Sequence, residues 1–331
     1  MIAASPHAIL ARALRWCEEG EDVALVTLVG IEGSSSRSLG TQMAVTASGR
    51  SIGSFSGGCI EGAIVAEAGE ALREGQGRQV RFGIGSPFID VRLPCGGGID
   101  LLFTPRPSPD VLRQACRDLN QRKAVRLFVG EAGIAAQGPG FALDLYPALR
   151  LLAAGQGEDF TAFVRLASAW GALLSAWTPS EADLALLGRE GLCAGLLASA
   201  SSLPPLASDP WTGCVLLFHD RDWEDVLLPA ILSLPAFYRG AVGSRRTHAA
   251  RLERLSRAGV PSERAASLRG HIGLIPATRD PATLAVSVLA DVVGAYAAAC
   301  QPPRSKAAEA RSAGLSMSSS SSAPAGIATT S

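Results

Sequence analysis

The sequence has no surplus of charge and almost no lysine. Its 331 residues carry 30 Lys+Arg against 30 Asp+Glu, and only Lys123 and Lys306 are lysine. A balanced charge gives no electrostatic reason to expect nucleic acid or an anionic membrane as the main partner. No CxxC pair occurs among the seven cysteines, an odd count, which argues against a disulfide framework or a structural zinc site and for a reducing compartment. Long apolar runs are also missing: the stretch 191–208 is broken by Ser201, Ser202, Pro204 and Pro205, so no membrane span is expected. The opening residues MIAASPHAILARALRW lack the charged segment, apolar core and cleavage site of an export signal, so a cytoplasmic location is expected.

What is present is apolar and glycine-rich. Hydrophobic residues make up 47% and charged residues 18%, with 36 glycines. Such a chain can bury a sizeable core, and its length suits about two domains. An amphipathic helix is expected over 7–20, followed by a β-branched strand over 23–29, a polar loop GSSSRSLG, and a hairpin around Ser48-Gly49. Strands over 80–82 and 99–103 flank the loop LPCGGG, and prolines 105, 107 and 109 mark the end of a first unit. From Leu149 strands and helices alternate, which implies a parallel sheet covered by helices. The expected fold is α/β: an α+β domain over 1–105, a connecting helix-strand segment over 106–147, a Rossmann-like domain over 148–303, and a Ser/Ala-rich disordered tail over 304–331.

Four segments could carry chemistry. In SFSGGCIEGA, a strand runs into Gly57 and Gly58, and Cys59 stands at the mouth of a helix. Helix amides and a positive dipole end favour an anion or a thiolate there. A tight turn with an inert cysteine remains the alternative. In LPCGGG, Cys95 precedes Gly96 and Gly97, which permit close backbone approach. The two thiols are expected to face one site, against the alternative of two unrelated turns. GQGEDF, with Gly155 and Gly157, resembles a dinucleotide-binding turn, but Phe160 replaces the third small residue, and Glu158 and Asp159 put negative charge where a pyrophosphate would sit. An NAD(P) site is therefore not expected. In GSRR, Gly243, Ser244 and Arg245 open a helix and offer a phosphate site, or only a capped helix with solvated arginines. Arg37 in GSSSRSLG is a further anion candidate, or a surface arginine on a loop. His219-Asp220 ends a strand and is either an acid/base pair or a polar loop; His7, His248 and His271 receive no role.

The segments GSSSRSLGTQMAVTASGRSIGSFSGGCIE, LPCGGGID, AFYRGAVGSRR and IGL followed by TLAVSVLADVV, in this order, resemble the XdhC/CoxI family. Its members are accessory proteins of xanthine dehydrogenase and related molybdenum hydroxylases. The resemblance implies a non-enzyme that binds the molybdenum cofactor (molybdopterin) as cargo, guards it during sulfuration and delivers it to a xanthine dehydrogenase-like client. It makes Cys59 and Cys95 the favoured contacts to cofactor and metal, with Gly57, Gly58, Glu61, Gly96, Gly97 and Arg37 around them. Gly155, Gly157, Gly243, Ser244 and Arg245 become candidates for the pterin phosphate. A cysteine desulfurase is a further partner on this reading, and a homodimer is expected on general grounds, since symmetric dimers are the commonest assembly. Family members usually carry GAGHVA-like residues where this chain has Gly155 to Phe160, a departure that bears on dinucleotide binding alone. Two competing functions stay open: an NAD(P)-dependent oxidoreductase using the Rossmann-like half, and a sulfur-transfer enzyme with Cys59 as nucleophile.

Overall fold

The computed structural model describes residues 5–86, 96–218 and 221–300. Cys95 and the His219-Asp220 pair lie outside them, as does the tail.

The chain opens with helix α1 (Pro6–Glu18), capped by the Ser5 hydroxyl, and enters β1 (Val23–Glu32). Then come β2 (Gln42–Thr46), β3 (Ser51–Ile52), α2 (Glu61–Glu74), β4 (Arg78–Gly83) and β5 (Gly98–Pro105). These strands form one antiparallel sheet in the order β3-β2-β1-β5-β4. Strand side chains alternate between faces. Ala24, Val26 and Leu28 of β1 meet α2 on one face, and Val23 and Leu25 meet α1 on the other. That two-sided burial explains why β1 reads as a nearly continuous apolar run, interrupted only by Thr27 between Val23 and Val29.

The next segment is not a bare linker. Helix α3 (Pro109–Asn120) and the small sheet β7-β6-β8, from β6 (Val125–Gly130), β7 (Gly133–Ala135) and β8 (Phe141–Leu145), share a core with α1. Leu112, Leu119, Leu127 and Leu143 pack there with Leu10 and Trp16. The glycine-rich stretch after Val129 has no clear period in sequence because its two strands are three and five residues long.

The second unit is a doubly wound sheet. It runs β9 (Arg150–Gly155), α4 (Gly157–Trp170), β10 (Leu173–Thr178), α5 (Glu181–Arg189), β11 (Gly195–Leu196), β12 (Thr212–Leu217), α6 (Asp222–Ser233), β13 (Tyr238–Ala241), α7 (Arg245–Arg257), α8 (Ser262–Ala266), β14 (Arg269–Gly270) and α9 (Pro281–Ala299). All six strands are parallel, in the order β11-β10-β9-β12-β13-β14. The order reverses between β9 and β12, where open sheets of this kind present ligands at their carboxyl ends. Phe160 does not obstruct the α4–sheet contact; it is fully buried in the core beside Ala153 and Val215. By length and composition α9 alone among the described helices could cross a membrane. One of its faces lies in the core, and its Asp291 accepts hydrogen bonds from the Tyr238 hydroxyl (2.8 Å) and the Gly273 amide (3.1 Å).

The two units are joined at the amino-terminal edge of the parallel sheet. Arg122 donates to Asp209 through Nε (2.8 Å) and Nη2 (3.1 Å), and to the Ala148 carbonyl through Nη1 (2.6 Å). Arg150, the first residue of β9, pairs with the same Asp209 at 2.8 Å. Tyr146 packs on Trp211 with ring centroids 5.1 Å apart, and the Tyr296 hydroxyl donates to the Pro147 carbonyl. Burial alone would raise the Asp209 pKa, but the Arg122 fork, the Trp211 amide and Arg150 hold it below the usual range. Its stabilising contribution is complete above the ordinary carboxylate pKa and is lost as pH falls through the depressed value. Arg122→Ala is expected to cost about 2–3 kcal/mol in urea unfolding at neutral pH, because it leaves a largely buried carboxylate short of donors. An unchanged midpoint would remove this triad from the forces joining the units.

Candidate functional site

Past β3 the chain turns through Gly57 (φ 76°) and Gly58 (φ 124°), both in the left-handed region that glycine tolerates. The turn builds an anion cradle, as its glycines suggest, but the chain fills it. Glu61, the first residue of α2, accepts at Oε1 from Ser54 Oγ (2.7 Å) and the Phe55 and Ser56 amides (3.0 and 2.8 Å). Its Oε2 accepts from Ser56 Oγ (2.6 Å) and the Gly58 and Ile60 amides (2.8 and 3.2 Å). The Ile60 N-cap has no side-chain bond of its own, so this carboxylate satisfies helix-end donors that would otherwise be orphaned. Burial works to raise the Glu61 pKa; the Ser56 and Ser54 hydroxyls and the amides outweigh it and hold the carboxyl far below its usual range. Glu61, expected as a cofactor contact, thus clamps its own loop in this structure, with its acceptor sites facing that loop.

The clamp leaves the other side of the turn open. Gly57, Gly58 and Cys59 are exposed, and a Cβ on either glycine would meet nothing within 4 Å. Arg37 Nε donates to the Ser54 carbonyl at 3.1 Å and Ser36 Oγ to the Phe55 carbonyl at 2.9 Å, so the GSSSRSLG loop lies along the turn. Among the described residues Arg37 has no carboxylate partner. Gly97 packs on the same loop: a Cβ there would stand 2.2 Å from the Ser34 carbonyl oxygen. Its carbonyl accepts from the Ile84 amide. Three motifs far apart in sequence therefore meet at one end of the antiparallel sheet. Gly96 is exposed with φ 69° beside them. Among the described residues no three His, Cys, Asp or Glu side chains gather as a metal site.

The second unit has two glycine turns, and they differ. At β9–α4 the Gly157 amide donates to Asp183 Oδ2 at 2.6 Å, and Thr178 Oγ1 reaches the same oxygen at 3.5 Å. Asp183 sits at the start of α5 with its own amide capped by Ser180 Oγ, and it is buried. Gly155 is buried too, and a Cβ there would lie 2.6 Å from the Leu217 carbonyl oxygen. Of the two glycines expected to cradle a phosphate, Gly155 is a packing residue and Gly157 spends its N–H on Asp183. The β13–α7 turn is open. Ser244 caps α7 by accepting from the Thr247 amide, while the first-turn amides of Arg245 and Arg246 have no acceptor among the described residues. Gly243, Ser244 and Arg245 line a cavity of about 880 Å³ at the carboxyl edge of the sheet. Phe218 at the end of β12 and the segment 271–278 form its other walls.

That 271–278 wall is marked in sequence only by residues 272–274, part of a family-like segment, and His271 has no role there. Two of its residues, His271 (φ 78°) and Ala277 (φ 55°), hold left-handed conformations that cost a non-glycine residue energy and cluster at functional sites. His248 packs its ring on Gly270 with Nδ1 buried and without a hydrogen-bond partner among the described residues; desolvation first, then Arg251 and His271, lower its pKa.

Residues 16–83 match the XdhC and CoxI family, and residues 151–292 match the XdhC Rossmann domain. The chain is 36% identical over 312 residues to the molybdenum cofactor insertion chaperone PaoD of Escherichia coli (strain K12), covering 90% of this chain and 92% of that protein. The chain belongs to the XdhC and CoxI family. A solved structure titled a xanthine dehydrogenase from Bacillus halodurans superposes with a TM-score of 0.69 at 19% identity, covering 90% of this chain and 97% of that one. At that identity the likeness extends to the fold alone. The two family matches between them contain Arg37, the Gly57–Glu61 turn and the Gly243–Arg245 turn.

Glu61→Gln is expected to cost about 2 kcal/mol of stability at neutral pH, by replacing a charged acceptor with one whose NH2 faces donors. The wild-type contribution should be complete above the ordinary carboxylate pKa, decline progressively as pH falls below it, and vanish only in strong acid, because the folded-state pKa is depressed. Thermal unfolding of both proteins against pH checks this; equal profiles would mean the clamp is energetically idle.

Proposed function

We propose that this protein carries the molybdenum cofactor as cargo and supports its insertion into a xanthine dehydrogenase-like molybdenum hydroxylase. The observation that carries the reading is the 36% identity to a molybdenum cofactor insertion chaperone across nine-tenths of both chains.

The geometry supports it. The cargo is anionic and labile, and a carrier must hold it without irreversible bonds. Cys59 offers an exposed sulfur beside two glycines whose missing side chains let a bulky group approach. Thiolate sulfur suits a soft metal centre. Arg37 is pinned through Nε to the Ser54 carbonyl, which leaves its other guanidinium donors for an anion. Glu61 holds this surface in one shape, so little ordering is required when cargo binds. Cys95 is the second expected thiol on this reading; it lies outside the described residues, and only Gly96 and Gly97, which follow it in sequence, are seen beside the turn. Gly243, Ser244 and Arg245 remain candidates for the cargo's phosphate. The protein acts as a carrier in the cytoplasm rather than as a catalyst, with a cysteine desulfurase and a second copy as further partners to be tested by cross-linking.

The nicotinamide reading loses support because the Gly157 amide is occupied by Asp183. The sulfur-transfer reading loses support because, among the described residues, no base or hydrogen bond engages the Cys59 sulfur. Cys59→Ala and Arg37→Ala proteins, purified from molybdate-grown cells, are each expected to retain several-fold less molybdenum and pterin and to activate apo-client correspondingly less. Wild-type retention in both would overturn the assignment of cargo to this turn.

A further inference from the structure

The Rossmann unit contains one glycine turn shut by a carboxylate and one left open over a cavity. We propose that the cavity over the β13–α7 turn binds one phosphorylated flat heterocycle, and that Asp183 is the specificity-determining residue that confines ligands to it.

The anionic end is set by α7. Ser244 uses its hydroxyl to cap the helix, so the amides of Arg245 and Arg246 are left facing outward at the positive end of the helix dipole. The Arg245 side chain lines the cavity and has no carboxylate partner among the described residues. Beneath Gly243 lies a second cation. Arg251 is fully buried, pairs with Glu224 and donates to the Val242 carbonyl at 2.9 Å, yet its Nη1 has no partner among the described residues. Its Nη2 is 3.5 Å from the point where a Cβ on Gly243 would stand, an ordinary contact; it is the φ of 147° and the Thr247 side chain, 3.1 Å from that point, that favour glycine there. Glu224 balances the charge of Arg251; what remains is an orphan buried donor, which is costly unless something compensates it.

The other end of the cavity is apolar. Phe218, Ile272, Leu274 and Ile275 line it, and Leu274 and Ile275 are 65% and 45% exposed. Apolar surface left in water at the mouth of a cavity is suited to a flat ring. A volume of about 880 Å³ accommodates one such ligand.

In a doubly wound fold a dinucleotide places its pyrophosphate on the first βα turn, here β9–α4. That amide, on Gly157, is held by Asp183 at 2.6 Å, and an incoming phosphate would meet the carboxylate's charge as well. The ligand is thus limited to the second half of the sheet. Where the ligand is the cargo's own phosphorylated pterin, the inference rests on the carrier reading above. A free nucleoside monophosphate presents the same chemistry, and the test separates the two.

The full chain, purified free of cargo, is titrated calorimetrically with 5′-GMP, guanosine and NAD+. Binding of GMP is expected, with guanosine about tenfold or more weaker and NAD+ not bound. A Ser244→Ala/Arg245→Ala protein, altered only at exposed positions, is expected to lose GMP affinity about tenfold while guanosine is unaffected. Equal binding of GMP and guanosine, or undiminished GMP binding by the double variant, would overturn the site. Asp183→Ala is expected to gain NAD+ affinity and keep GMP affinity; Asp183→Ser serves the same purpose if the alanine protein fails to fold. Continued refusal of NAD+ by a folded Asp183 variant would overturn the role of Asp183. Cargo-loaded protein that refuses GMP identifies the pocket as the cargo's phosphate site, and loaded protein that still binds GMP identifies a separate nucleotide site. Loss of cargo retention in the Cys59 variant with intact GMP binding would keep the two readings distinct.

Discussion

The candidate cargo surface depends on one carboxylate meeting six donors. Without Glu61, the amides of Phe55, Ser56, Gly58 and Ile60 and the hydroxyls of Ser54 and Ser56 would have to find water or each other. With it, a turn that contains two left-handed glycines becomes a fixed platform. The bonds run toward the helix start, so the opposite side, with Cys59, stays open. Arg37 and Ser36 attach to carbonyls of the same turn, and the GSSSRSLG loop inherits its position from it.

The same physical device recurs in the second unit. A glycine turn at a helix start concentrates N–H donors and positive potential, and it will bind whatever anion is nearest. At β3–α2 the nearest anion is Glu61 and at β9–α4 it is Asp183, both supplied by the chain. At β13–α7 the cap is a neutral hydroxyl from Ser244, and a cavity stands over the remaining amides. Glycine content alone could not distinguish these three turns; the identity of the residue that reaches back into each one does.

The joint between units and the cavity occupy opposite edges of the parallel sheet. Arg122, Asp209 and Arg150 join the units at the amino-terminal edge, while Gly243 and its neighbours lie at the carboxyl edge, one strand length (about 20 Å for six residues) away. The Cys59 turn belongs to the first unit and the phosphate candidates to the second. The XdhC and CoxI family match covers the first of these turns and the XdhC Rossmann domain match the second.

The sequence by itself determined the α/β class, the parallel second unit, nearly every longer strand and helix, and the three glycine-rich loops of the first unit. Those features rest on local periodicity and on glycine's backbone freedom, which act over a few residues. It also held the family likeness, carried by short segments whose order is fixed along the chain. Tertiary structure decided the rest. That residues 109–145 fold onto α1, that Asp183 crosses 26 positions to hold Gly157, and that the 271–278 segment walls a cavity with Gly243 all depend on contacts between segments distant in sequence. Whether a glycine turn is a ligand site or a filled one is settled by which side chain arrives there, and chain folding alone brings it.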